Sequence, residues 1–273
     1  MTAPQYERPN TIDGVVSLLA ENSGDAALLA GGTDLLAQMR SRLVRPGLLV
    51  DVKGVEELRR LEQTDAGLSI GAAVILNRIL EEQDRPELAA LVQAVGELAS
   101  YPIRNRATLV GNVTNASPCA DTVPPLCAMG ASVELQGPRG SRRIPVVEYI
   151  TGNRETRRAA DEVATQVTVP PLSRGTWSGF RKRKRVRGHD LALASVALLR
   201  DPERRRLRLA VGSCTPQPCL VELDDMYDRP DVDEANRRVQ DGIHPIDDVR
   251  ASIEYRRDMV EVMIRRLFVE MRG

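Results

Sequence analysis

Aromatic residues are scarce, at 3% of the 273-residue chain with only two Phe and one Trp. Few rings are therefore available to stack on bases. Lys plus Arg and Asp plus Glu both number 38, so the formal net charge is zero. A dedicated nucleic-acid binder normally carries a basic excess, which is missing. Histidine is nearly absent. His189 and His244 are too few for a His-rich metal site and leave little material for a Ser-His-Asp system. The four cysteines, Cys119, Cys127, Cys214 and Cys219, are spaced C-x7-C and C-x4-C. Those spacings match no common zinc pattern and do not gather in one loop as an iron–sulfur ligand set does, so they read as reduced thiols in small slots. The first residues are polar and charged, unlike a signal peptide, and no run approaches the ~18–20 apolar residues that span a bilayer. A soluble, cytoplasmic chain is the expectation.

What is present is a mixed α and β pattern with no internal repeat. Thr11 is placed to cap a helix running through Leu18-Leu19, with Val15, Val16, Leu18 and Leu19 on its apolar face. Ala26 to Ala30 reads as a short buried strand, Leu35 to Met39 as a helix and Leu48 to Val52 as a second strand, which together make a small β-loop-α-β unit. A strand near Leu68 to Ile70, a helix from about Glu87 to Leu98, another near Pro124–Met129 and an alternating strand Ala131 to Leu135 follow. A third unit begins near Pro170-Pro171, with strands over Asp190–Leu199 and Leu207–Val211. It closes with a helix from about Val249 to Met271, whose three- and four-residue apolar spacing is core packing. The expected class is α+β in three parts.

Two glycine-bearing segments carry the functional signal. In Ala30-Gly31-Gly32-Thr33-Asp34-Leu35, the glycines permit positive φ and close backbone approach. Consecutive amides there make an anion-binding concavity, reinforced by the N-terminus of the next helix. Thr33 can donate a hydroxyl, and Asp34 can cap the helix or accept from a ligand hydroxyl. The segment is neither a Walker A motif nor G-x-G-x-x-G. Taken alone, it is equally compatible with an ordinary glycine turn. The second segment, Ile103 to Asp121, sets Thr108, Asn112, Asn115, Ser117 and Asp121 among small residues, where each can hydrogen-bond a ligand without filling its space. A polar connection rich in Asx turns is the alternative. Two such segments, each with a nearby Asp, point to a ligand with a diphosphate and a polar sugar or ring, and FAD is the first candidate.

Six of the seven residues from Arg181 to Arg187 are basic. A run of this kind can grip nucleic-acid phosphates. With no interleaved aromatics, the expectation is instead that its charges meet solvent, an acidic surface or cofactor phosphates.

The two glycine segments resemble the FAD-binding loops of the flavoprotein subunits of the xanthine dehydrogenase and carbon monoxide dehydrogenase family, which read A-G-G-T-D-L-L and I-R-N-x-x-T-x-G-G-N-x-x-x-x-S-P-x-x-D. Three further stretches resemble the same family in the same order. Glu162 to Pro171 resembles the strand that closes its FAD domain, Phe180 to Ala192 its aromatic-x-Lys segment, and Pro245 to Arg257 its C-terminal signature. The resemblance implies a p-cresol-methylhydroxylase-like FAD fold of two subdomains, 1–55 and 56–170, followed by a small α+β domain, 171–273. It implies FAD between the two subdomains, held by Ala30, Gly31, Gly32, Thr33, Asp34 and Leu35 on one side. Thr108, Val110, Gly111, Asn112, Asn115, Ser117 and Asp121 would lie on the other, with Lys182 approaching from the third unit. It implies no metal site on this chain; molybdopterin and [2Fe-2S] clusters would reside on a large and a small partner subunit. The chain would then be an electron-exit module that passes electrons to a soluble acceptor such as NAD or a quinone, and no nucleic acid is implied. A flavin-free scaffold subunit is the rival, because Val110 stands where the family has the first glycine of Gly-Gly-Asn. Val is costly there if the position requires positive φ.

Overall fold

The computed structural model describes residues 3–273. Its first sheet is small and wholly parallel: β1 (Gln5–Glu7), β2 (Ala26–Leu29) and β3 (Leu48–Asp51), in the order β1-β3-β2. Parallel neighbours require crossovers. The link from β1 is α1 (Ile12–Glu21), whose N-terminus is capped by the Thr11 hydroxyl accepting from the Gly14 N–H, and which buries Val15, Val16 and Leu19. The link from β2 is α2 (Leu35–Arg40), a helix of six residues with no fully buried side chain.

The second sheet is antiparallel, in the order β4-β5-β10-β6-β7. It contains β4 (Leu61–Thr64), β5 (Gly67–Gly71), β6 (Ser132–Gly137), β7 (Gly140–Pro145) and the central β10 (Val163–Val169), which shifts register against β6 between Ala164 and Gln166. Between β5 and β6 lie α3 (Leu76–Ile79), α4 (Ala89–Glu97), α5 (Tyr101–Arg104), α6 (Leu109–Thr114) and α7 (Val123–Ala128). Between β7 and β10 lie α8 (Val146–Tyr149) and the ribbon β8 (Ile150–Gly152) and β9 (Glu155–Thr156). One apolar core runs under both of these sheets, from Val15 and Val50 to Leu109, Val133 and Val167.

The third sheet is an antiparallel meander of β11 (Trp177–Arg183), β12 (Ala194–Asp201), β13 (Arg206–Gly212) and β14 (Cys219–Glu222), covered by α9 (Val232–Gly242) and α10 (Ile253–Arg272). A second core joins Val196, Leu198 and Leu209 of the sheet to Val239, Val260, Ile264 and Phe268 of the helices.

Several sequence expectations shift in register. The strand expected over Asp190–Leu199 begins only at Ala194, because residues 184–193 form an irregular connection. The helix expected from Glu87 opens as a 3-10 turn over Pro86–Leu88 before α4. The last helix starts at Ile253, where the Ser252 hydroxyl caps it by accepting from the Tyr255 N–H. The largest difference concerns residues 103–121, for which the sequence suggests a run of polar side chains among small residues and no helix. They contain α6, which buries Leu109, Val110 and Val113.

Candidate functional site

The backbone that links β2 to α2 passes directly against the backbone that precedes α6. A Cβ on Gly31 would stand 2.1 Å from the carbonyl oxygen of Arg106, so only glycine permits this approach. Gly32 has φ of +73°, the left-handed region, and needs glycine for conformation instead. The backbone of residues 107–109 is fixed in turn on the connection from β5 into α3: Leu76 N–H donates to the Ala107 carbonyl at 2.8 Å and Leu109 N–H to the Val74 carbonyl at 3.3 Å.

Between the two segments opens a cavity of about 350 Å³. Ala30 to Leu35 form one wall, and Thr108, Val110, Gly111, Asn112, Thr114 and Asn115 another. Apolar residues including Ala26, Leu28, Ala72 and Ala164 complete the lining. The segment from Gly31 to Leu35 keeps its amide N–H groups free of hydrogen bonds among the described residues, while the Gly32 carbonyl accepts from Leu36 N–H to start α2. Unpaired amides on a glycine turn suit an anion that accepts several hydrogen bonds at once. Asp34 occupies the N-cap position of α2 without a side-chain capping bond, and its side chain lies on the cavity wall.

On the opposite wall, Thr108 caps α6 by accepting from Gly111 N–H at 3.1 Å. Asn112 Oδ1 accepts from the Thr122 hydroxyl at 2.7 Å, which fixes the amide plane and leaves Nδ2 without a partner among the described residues. Asn115 Oδ1 accepts from Arg154 Nη1 at 2.9 Å and from Gln38 Nε2 at 3.4 Å, the latter a contact from α2 across the cavity mouth. Val110 sits in the first turn of α6, 2% exposed and packed in the core, and it is not among the residues with positive φ. The feared backbone strain is absent because the position is helical.

The structure separates Ser117, Asp121 and Lys182 from the cavity wall. Ser117 Oγ accepts from Cys119 N–H at 3.3 Å in a turn beyond α6. Lys182, on β11, points its ammonium at Asp121, and the Nζ–Oδ2 distance is 2.6 Å. Burial lifts the Asp121 carboxyl to about 6 even though Lys182 draws it down. Three more members of the basic run are also engaged by the chain itself, Arg181 with Glu270, Arg183 with the Tyr255 hydroxyl and Lys184 with Glu97, while Arg185 and Arg187 are exposed.

Two groups escaped the sequence. Lys53, just after β3, donates to the Ala30 carbonyl at 2.8 Å and pairs with Asp51 at 2.8 Å. Asp51 also accepts from the Tyr6 hydroxyl at 2.6 Å, so β1 and β3 together brace the back of the glycine turn. Arg158 lines the cavity from the turn between β9 and β10. Neither lies near a glycine motif, and only the assembled sheets bring them there. Of the cysteines, all four are free thiols; burial lifts Cys214 to about 12 and raises Cys127 further, which keeps both protonated. Among the described residues, no helix is long and apolar enough to cross a membrane.

Known proteins match almost the whole chain. Residues 2–172 match the FAD binding domain in molybdopterin dehydrogenase, and residues 178–271 match the CO dehydrogenase flavoprotein C-terminal domain. The nicotine 6-hydroxylase medium subunit of Paenarthrobacter nicotinovorans is 30% identical over 280 residues, covering 99% of this chain and 98% of that protein. The carbon monoxide dehydrogenase medium chain of Hydrogenophaga pseudoflava is 28% identical over 272 residues, covering 96% and 94%. In three dimensions, the carbon monoxide dehydrogenase structure from Hydrogenophaga pseudoflava superposes with a TM-score of 0.85 at 26% identity, covering 97% of this chain and 96% of that one. Quinoline 2-oxidoreductase from Pseudomonas putida 86 gives the same TM-score at 25% identity, covering 99% and 97%. The glycine-lined cavity and these matches together place the chain in the family of FAD-binding medium subunits of the xanthine and carbon monoxide dehydrogenases, as an oxidoreductase subunit with that family's FAD-binding domain.

Proposed function

We propose that the chain is the electron-exit subunit of a molybdenum hydroxylase. In this reading it receives electrons from [2Fe-2S] clusters of a small partner subunit, while a large molybdopterin subunit oxidises the substrate. The electrons leave to a soluble acceptor such as NAD or a quinone. The observation that carries the reading is the convergence of two separate glycine-bearing segments, 30–35 and 108–115, on one cavity. FAD, when bound, supplies exchange between one-electron donors and a two-electron acceptor, and the protein supplies position and electrostatics.

The residues fit the cofactor. The free amides of Gly31 to Leu35 suit a diphosphate, and Asp34 suits a ribose or ribityl hydroxyl. Asn112, its oxygen already engaged by Thr122, presents N–H donors. Lys53 fixes the carbonyls behind the glycine turn so that the amides stay aimed at the ligand. Asp121 and Lys182 act as positioning residues in this scheme: their ion pair anchors the segment whose next residue, Thr122, orients Asn112. FAD would be held between units 1–55 and 56–170, with 171–273 behind Asp121.

The flavin-free scaffold is the less favoured reading, because the helical Val110 leaves the cavity open. Expression with its native partners, followed by copurification and metal analysis, tests the assignment. Molybdenum and iron in a heterotrimer that reduces an external acceptor support it. A flavin-loaded chain that never associates with metal-bearing partners contradicts it.

A further inference from the structure

We infer that Arg158 is an additional cofactor-holding residue, whose guanidinium pairs with a phosphoryl oxygen of the diphosphate in the cavity; this rests on the FAD reading above. Neither glycine segment includes it. Among the described residues that line the cavity, only Asp34 and Arg158 are charged; of the cations beside it, Lys53 is engaged by the Ala30 carbonyl and Asp51 and Arg154 by Asn115, so Arg158 is the lining cation open to a doubly negative diphosphate.

Three features make it more than a passing surface arginine. First, its position is fixed. Nη1 donates to the Glu162 carbonyl at 2.6 Å and to the Ala159 carbonyl at 3.0 Å. The turn that supplies those carbonyls is itself held, since Glu162 accepts both from Arg142, in a two-pronged pair at 2.7 Å, and from Ala159 N–H at 2.8 Å. Second, Nε and Nη2 make no hydrogen bond to the chain among the described residues, and neither is a buried unpaired atom. Both are free to donate, on a residue that lines the cavity. Third, Arg158 has no carboxylate partner among the described residues, although its neighbours Arg139, Arg142 and Arg157 are each paired with an acid. A half-fixed guanidinium with free donors and no counterion matches the geometry of a phosphate ligand, and its prior ordering reduces the entropy lost on binding.

The test uses the full chain stripped of flavin and titrated with FAD, ADP and adenosine, each followed by calorimetry at two salt concentrations. Arg158→Gln and Arg158→Lys are compared with the unaltered protein, and melting curves check that the turn survives. Arg158→Gln is expected to weaken FAD and ADP together by about 10- to 100-fold, to leave adenosine unchanged and to flatten the salt dependence. Arg158→Lys, which keeps the charge, should recover part of the loss. Three results would overturn the inference: ADP affinity within twofold in the folded Gln variant, adenosine weakened as much as ADP, or a folded Lys variant no better than Gln. A starting protein that takes up no FAD at all would instead overturn the cofactor reading itself.

Discussion

The ammonium of Lys182 and the carboxylate of Asp121 meet at 2.6 Å with 1% and 6% of their side chains exposed. They join a strand of the third sheet to the turn that follows α6. Removing one partner of a buried pair strands the other charge, which costs about 3–5 kcal/mol. Asp121→Asn should therefore destabilise the fold by an amount in that range at neutral pH. The double variant Asp121→Asn with Lys182→Met should recover much of it, because no charge is left buried. Urea unfolding of the four proteins provides the cycle; a double variant no more stable than Asp121→Asn would show that the pair is not the source.

The pH signature comes from Asp51. Burial pushes its carboxyl up, but hydrogen bonds from Lys53 and Tyr6 outweigh that and hold it below 3.8. Its contribution is present above 3.8 and is lost as pH falls through the lower folded value. Tyr6→Phe should weaken the brace behind the glycine turn and move acid-induced flavin release to higher pH, as followed by flavin fluorescence. An unchanged release midpoint would count against the brace.

Gly31→Ala places a Cβ 2.1 Å from a backbone carbonyl oxygen and must push the two cavity walls apart. FAD affinity should fall roughly tenfold or more, about 1.4 kcal/mol or above. Gly96→Ala is the matching control. Its Cβ meets nothing within 4 Å, it lies in α4, and it should gain about 0.5–1 kcal/mol with FAD affinity unchanged. Equal affinities for the two variants would contradict the close approach as the reason for Gly31.

Val110→Gly restores the residue that the family carries. Because the position is helical and buried, the change removes core packing and adds backbone freedom, at a cost of about 2–4 kcal/mol. FAD affinity should not improve. A tighter complex would show that Val110 obstructs the cofactor.

How legible the site was differs between its two walls. The first wall was readable because the glycines, the strand before them and the helix after them are contiguous, and each part has its own local signature. The second was readable as a set of polar residues but not as a helix, since Thr108, Asn112, Thr114 and Asn115 are poor helix formers. What makes α6 helical is the Thr108 cap and the burial of Leu109, Val110 and Val113. Ser117 and Asp121 group with the wall as short polar side chains and Lys182 on family resemblance alone, but the fold engages Ser117 with Cys119 and pairs Asp121 with Lys182. Lys53 and Arg158 were invisible because their roles depend on carbonyls and walls supplied by distant segments, and no local pattern encodes that.

The most direct measurement is the FAD content of the purified chain, from its visible absorbance and from titration of stripped protein. The account predicts flavin bands, stoichiometric uptake of FAD and weaker uptake in Gly31→Ala but not in Gly96→Ala. A colourless protein that cannot be reconstituted with FAD would contradict it.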